Sequence, residues 1–448
     1  MSKSKSFFHC SNCDYKSVKW LGCCPECKEW NSFIEKQETQ GPLHQKRSTE
    51  SLKMILLKDA TFESKQRILS GIEEWDRVLG GGIMPGSFVI LTGDPGIGKS
   101  TLLLQVANKL AKQQKVFYFS SEESLEQVKQ RSERVIPEES CLYFSNEGDL
   151  ENIIATCLQE RPDIIIIDSI QNCYVAQTQT IPGTIGQLRE VGFRLMQLAK
   201  EENIAVVVTG HITKEGQIAG PKTLEHIVDA VFYFQGEDQW NIRVLRSVKN
   251  RFGPINEIGF FEMCSEGLKE ISNINQQLLQ DATYAPGSVL ISCLEGTRPL
   301  LLELQALTIP SKFGVPQRVI TGVDHKRVVL IAAILEKYLQ VRLSSQDIFF
   351  KVSGGFTIKE SSADLGIALA LLSSYFQQSL PDKSIALGEI SLTGNVKPIN
   401  HIAMHTNEAQ KFGIAQMFLS RNQKIPKQSF EVVQFSSVYE LLKLFSLE

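Results

Sequence analysis

The sequence has no apolar run long enough to cross a bilayer, and its Ser/Lys-rich N-terminus is not built like a signal peptide. Both absences point to a soluble chain of the cytoplasm with no membrane partner. An excess of one charge is also missing. Against 47 Lys and Arg stand 50 Asp and Glu, for a formal net charge of -3. No global basic field marks a nucleic-acid partner, so any such contact must come from local patches. Cysteine is scarce outside one stretch. Five of the ten lie between Cys10 and Cys27. Cys141, Cys157, Cys173, Cys264 and Cys293 are scattered among apolar segments, as reduced core thiols are, and do not suggest a disulfide framework. At 448 residues, 42% of them hydrophobic, the chain can bury the cores of two or three domains.

One octet dominates what is present. Gly93-Asp94-Pro95-Gly96-Ile97-Gly98-Lys99-Ser100 fits the phosphate-loop pattern G-x-x-x-x-G-K-[ST] at every fixed position. A strand over 87–92 precedes it. A helix follows over 100–111, with Leu102, Leu103, Val106, Ala107 and Leu110 at helical spacing. The glycines allow backbone N–H groups to converge on anionic oxygens, and the helix N-terminus adds partial positive charge. Lys99 reaches the β- and γ-phosphates, and the Ser100 hydroxyl ligates Mg²⁺.

Upstream, Cys10-Ser-Asn-Cys13 and Cys24-Pro-Glu-Cys27 form two C-x-x-C knuckles, which suits a closed structural Zn²⁺ site. Cys23 and His9 are competing donors. A redox pair or disulfides are the alternatives. Trp20, Trp30 and Phe33 are expected to pack over so small a module. Residues 36–58 are polar and read as a linker, and Ile72, Trp75, Val78 and Leu79 share a helical face closed by Gly80-Gly81-Gly82.

Downstream, the strand over 115–120 runs into Glu122. A carboxylate at the C-terminal end of a parallel strand can orient the water that attacks a γ-phosphate, or can simply open the next helix. Ile164–Ile167 followed by Asp168 is the Walker-B arrangement, in which the acid holds Mg²⁺; a helix-capping Asp is the plainer alternative. Gln171 is placed to couple nucleotide state to the next segment. Loops near 174–186 and 210–222, the second with Lys214 and Lys222, leave adjacent strands on one face. They suit a phosphodiester backbone, or are ordinary solvated loops. Strands around Val231–Phe234 and Asn241–Arg246 read as a hairpin. Lys249 and Arg251, at i and i+2, could clamp a γ-phosphate in the same subunit or a neighbour's, or be a solvated pair. Residues 271–286 read as a second linker. Segments at 288–291, 300–306, 328–338 and 363–372 then form a separate core. Arg298, Lys312, Arg318, Lys326 and Arg327 are a local basic set consistent with DNA contact.

Together these residues resemble the bacterial RadA (Sms) family of DNA repair proteins over nearly the whole chain. The matching motifs are the four-cysteine module, Gly93–Ser100, Asp168-Ser-Ile-Gln171, His211-Ile-Thr-Lys-Glu-Gly216 and Lys249-Asn-Arg-Phe-Gly253. Gly354-Gly355, Ala363-Asp364-Leu365-Gly366 and Gly388–Gly394 resemble the Lon-protease-like domain. The resemblance implies an α/β chain with five parts: a C4 zinc module over 1–35, a linker over 36–58, a RecA-like ATPase core over 59–270, a linker over 271–286 and a Lon-protease-like α+β domain over 287–448. It implies ATP held by Gly93 through Ser100 and Thr101, and Lys249 and Arg251 acting in trans. It further implies a homo-hexamer on single-stranded and branched DNA, driving branch migration beside a RecA-type recombinase. Proteolysis needs a nucleophilic serine and an activating lysine. Asp364 and Ala403 stand where those would be, so the last domain is expected to be a DNA-binding and ring-forming scaffold. An ATP-dependent protease and a non-motor nucleotide switch are the competing functions.

Overall fold

The computed structural model describes residues 6–13, 15–37, 56, 66–136, 140–176, 183–211, 224–236, 241–312 and 314–445. Contacts divide the chain into two units, the first comprising 1–235, 245–255 and 263–269 and the second comprising 236–244, 256–262 and 270–448.

The first unit opens with a small antiparallel sheet in the order Lys16–Ser17, Ser6–Cys10, Phe33–Gln37. Phe33 packs with Cys10 and Cys24. Trp20 and Trp30 differ from expectation. They are 53% and 72% exposed, and their rings converge over Gly22. A module this short, with four thiols at its centre, has too little interior to bury two indoles.

The centre of the unit is a run of parallel strands in the order Ala230–Gly236, Phe88–Gly93, Ala205–His211, Ile164–Asp168, Val116–Ser120, Tyr143–Ser145. Its inner strands are largely apolar. Phe88–Gly93 and Ile164–Asp168 are buried at every position, as expected of a parallel sheet covered on both faces. The helix Lys99–Leu110 starts at Gly98, whose φ of 109° is open to glycine but strained for other residues. Leu125–Val135 starts at a capping box: Ser124 accepts from the Gln127 amide, and Gln127 accepts from the Ser124 amide at 2.9 Å. Ile185–Glu202 supplies Leu188, Val191, Leu195 and Leu198 to the core on one face of the sheet. Ile242–Asn250 neighbours Ala230–Gly236, the expected hairpin partner.

The second unit is built on a seven-stranded mixed sheet ordered Arg318–Thr321, Gln346–Val352, Arg298–Pro310, Ser288–Glu295, Ser384–Ala386, Gln416–Ser420, Glu431–Phe435. Helices His325–Leu339 and Asp364–Phe376 pack into its core, and Leu365 and Ile367–Leu372 are fully buried. The segment 271–286 is not a plain linker. It contains the helix Ile274–Gln280, and Ile271, Ile274 and Leu278 belong to the core of this unit. Spacing by three and four residues puts these apolar groups on one helical face among Asn and Gln.

Candidate nucleotide site and zinc module

Four features of the first unit meet at the C-terminal ends of the parallel strands: the phosphate loop, Glu122, Asp168 and Ser169. Gly96, Gly98, Lys99, Ser100, Thr101, Glu122 and Arg131 line one cavity of about 780 Å³. Lys99 is buried, and its Nζ donates to the carbonyls of Gly93 (2.9 Å) and Asp94 (3.0 Å). Burial pushes the Lys99 ammonium below its ordinary pKa, against the pull of Asp168, Glu122 and Asp94.

Asp168 is oriented from both sides. Its Oδ2 accepts from the Tyr118 hydroxyl at 2.8 Å, and its Oδ1 accepts from the Thr209 hydroxyl at 2.6 Å. The neighbouring strands thus aim this carboxylate. Two further bonds join the turn that carries Glu122 to the end of the Asp168 strand. The Ser121 amide donates to the Asp168 carbonyl and the Ser121 hydroxyl to the Ser169 carbonyl, each at 2.9 Å. The Ser169 hydroxyl donates to the Glu122 carboxylate. Next to it, Glu123 is ion-paired with Arg131. Ser100 and Asp168 offer oxygen donors of the kind Mg²⁺ takes. Gln171 keeps a buried Oε1 with no partner among the described residues.

Tyr118, Thr209, Ser169 and Arg131 were not singled out from the sequence. Two of them had a signal: Tyr118 interrupts an apolar strand and Thr209 nearly closes one. A polar group in such a place must be satisfied by something.

Lys249 and Arg251 lie elsewhere. Lys249 Nζ donates to the carbonyls of Glu225 and Val228, and Arg251 Nη1 is 3.5 Å from Asp229 Oδ1. Asp229 pairs with Phe88, at the N-terminal end of the strand that leads into the phosphate loop. From Phe88 to Gly93 that strand rises about 16 Å. The two cations therefore sit at the end of the sheet opposite their own chain's phosphate loop.

In the N-terminal module the Sγ atoms of Cys10, Cys13, Cys24 and Cys27 lie within 4.8 Å of one another. Four thiols converging this closely fit a tetrahedral Zn²⁺ centre. Cys23 turns away, with its Sγ 3.3 Å from the Lys28 carbonyl.

The basic set of the second unit is not one open face. Arg318 donates to the carbonyls of Gln317, Leu343 and Gln346. Arg327 pairs with Asp364 at 2.6 Å and donates to the Lys359 carbonyl. Arg298 donates to the Ser272 carbonyl and lies over the Phe260 ring. Counting cations cannot distinguish a guanidinium that satisfies carbonyls from one that faces solvent. Lys312 and Lys326 are exposed, while Lys214 and Lys222 fall outside the described residues.

Three family models match: one described as an AAA domain over residues 58–217, one as subunit ChlI of Mg-chelatase over 314–423, and one as a rubredoxin metal binding domain over 8–35. The DNA repair protein RadA of Streptococcus pyogenes serotype M6 is 43% identical, with 99% of each chain covered. The RadA proteins of Halalkalibacterium halodurans and Bacillus subtilis are 42% and 39% identical at the same coverage. This chain belongs to the RadA family. Among solved structures, that of the RadB recombinase is similar at 23% identity and a TM-score of 0.37, over 46% of this chain and all of that one.

As a RadA-family member the chain is an ATP-hydrolysing enzyme, with a RecA-like P-loop core, a zinc-binding N-terminal module and a Lon-protease-like C-terminal domain. At the protease-like positions, Asp364 is committed to Arg327 and to the Ile390 amide, and Ala403 has no ionisable group. No described helix is long and apolar enough to cross a membrane.

Proposed function

We propose that this chain is a DNA-stimulated ATPase motor of homologous recombination and DNA repair in the cytoplasm. It binds single-stranded and branched DNA, assembles as a homo-hexameric ring, and drives branch migration beside a RecA-type recombinase. The observation that carries the motor reading is the separation of Lys249 and Arg251 from their own phosphate loop. Cations that cannot reach the nucleotide of their own chain can serve one held by a neighbour, and a head-to-tail ring supplies that neighbour.

In each site the backbone amides of Gly93 through Gly98 cradle the phosphates, Lys99 neutralises the β- and γ-oxygens, and Thr101 lies beside them at the helix start. A bound Mg²⁺ supplies charge neutralisation on the phosphates, and Ser100 and Asp168 would hold it. Glu122 takes the proton of the attacking water, with Ser169 fixing its carboxylate. Arg251 from the next subunit stabilises charge on the transferring group, and Lys249 shapes the same segment. Grip on DNA comes from the segment that carries Lys214 and Lys222, with Lys312 and Lys326 as further phosphate contacts in the second unit.

The test is steady-state ATP hydrolysis with and without single-stranded DNA. The motor reading expects several-fold stimulation by the oligonucleotide and loss of turnover in Lys99→Ala. Unstimulated turnover with no DNA retention would favour the nucleotide switch instead. Casein cleavage by the pure chain would revive the protease.

A further inference from the structure

Most of Lys249-Asn-Arg-Phe-Gly253 is spent inside the first unit. Lys249 serves two carbonyls, as described above. Asn250 Nδ2 donates to the Leu79 carbonyl at 3.2 Å, and its Oδ1 accepts from the Phe252 amide at 2.9 Å. Arg67 donates to the Phe252 carbonyl. Gly253 lies so close to the Gly80 turn that a Cβ on it would be 2.9 Å from the Gly80 Cα. Arg251 is the exception. Its side chain is 57% exposed, and its ion pair is with a carboxylate that is itself buried.

That carboxylate, Asp229, touches three elements. Its Oδ2 accepts from the Phe88 amide at 3.0 Å and from Lys200 Nζ at 2.6 Å. Its Oδ1 faces Arg251 at 3.5 Å, and its backbone carbonyl accepts the Arg251 amide at 3.1 Å. Lys200 belongs to the helix Ile185–Glu202, and Phe88 opens the strand into the phosphate loop. A buried carboxylate must be paired or protonated. Lys200 Nζ, at 2.6 Å, is its close partner. Among the described residues, the longer contact leaves most of the Arg251 guanidinium donors open while restricting where the side chain points.

We propose that Asp229 is the positioning residue for Arg251, holding the guanidinium extended toward the nucleotide of the neighbouring subunit. It does not itself touch phosphate. Without the pair, an exposed Arg samples several rotamers and must be ordered at each turnover. The proposal rests on the trans reading above.

The experiment is subunit mixing with full-length chains. Asp229→Asn keeps an acceptor for the Phe88 amide and removes the charge that holds Arg251. Alone, it is expected to bind a fluorescent ATP analogue as the parent does and to lose about tenfold in turnover. Lys99→Ala carries an intact Arg251 but a dead phosphate loop. Mixed at equal amounts, the two leave roughly a quarter of head-to-tail interfaces with both working parts, so turnover should rise above that of either chain alone. Arg251→Ala mixed with Lys99→Ala is the control. If the control recovers and the Asp229→Asn mixture does not, the assignment of Asp229 is overturned. If neither recovers, the trans reading itself has failed. Should Asp229→Asn not fold, Lys200→Met carries the test, because it strips the buried carboxylate of its close partner and so weakens its hold on Arg251. A several-fold loss of turnover that the Lys99→Ala chain restores is expected, and parent-like turnover would overturn the assignment.

Discussion

Tyr118 donates its hydroxyl to Asp168 at 2.8 Å from within the sheet. Burial, then the charge of Asp168, raises the Tyr118 pKa well above its ordinary value, so the phenol stays a donor at any working pH. A hydrogen bond to a charged group is worth about 1.5–3 kcal/mol, and here it fixes the direction in which the candidate metal ligand points. Tyr118→Phe should therefore raise the Mg²⁺ concentration needed for half-maximal turnover and lower turnover by up to about tenfold. Nucleotide affinity should be unchanged. A Mg²⁺ titration of the ATPase rate checks this, and a parent-like curve would remove Tyr118 from the site.

Gly93 has no room for a side chain. A Cβ there would lie 2.1 Å from the Phe234 carbonyl oxygen, on the neighbouring strand of the sheet. Gly93→Ala should cost about 3 kcal/mol or more, since backbone cannot yield as a flexible side chain can. A drop in soluble yield and in the midpoint of thermal unfolding is expected. An unchanged midpoint would mean that these two strands do not approach this closely.

His405 is buried against the Ser292 hydroxyl at 2.8 Å, and burial lowers its pKa to about 4. The unfolded chain titrates near the ordinary value of about 6.5, so below that pH it binds a proton that the folded chain refuses. Stability is thus intact above pH ~6.5 and lost as pH falls toward ~4. The loss should be about 2 kcal/mol between pH 7 and 5. Urea unfolding at the two pH values measures it, and His405→Gln should flatten the dependence. A parent and variant with equal slopes would contradict it.

Chelation tests the zinc module. One Zn²⁺ per chain is expected, and Cys13→Ser should release it. Because Trp20 and Trp30 already face solvent, their emission should shift less than that of a buried indole would. The ATP affinity of the core should persist. Retention of stoichiometric zinc by Cys13→Ser would show that another donor, such as Cys23, can replace it.

The parts that could be read in advance were those whose chemistry is contiguous in the chain. Gly93–Ser100, the buried run ending at Asp168 and the paired C-x-x-C knuckles carry their meaning in local spacing. The missed parts depend on what the fold brings alongside. Thr209 and Tyr118 converge on Asp168 from the strands on either side of it. Asp229 lies 22 residues before Arg251, and its role appears only when Phe88 and Lys200 arrive. The helix Ile274–Gln280 was hidden because few apolar residues mark it. That Arg318 turns to backbone carbonyls and Arg327 to Asp364 is not legible in the sequence, because composition records charge but not direction.

The most direct measurement of the central claim is strand displacement on a synthetic three-strand junction. The parent chain should move the branch in an ATP-dependent manner. Lys99→Ala and Arg251→Ala should move it little, although Arg251→Ala still binds nucleotide. A junction left unchanged by a parent chain that is hydrolysing ATP would contradict the claim, as would full movement by Arg251→Ala.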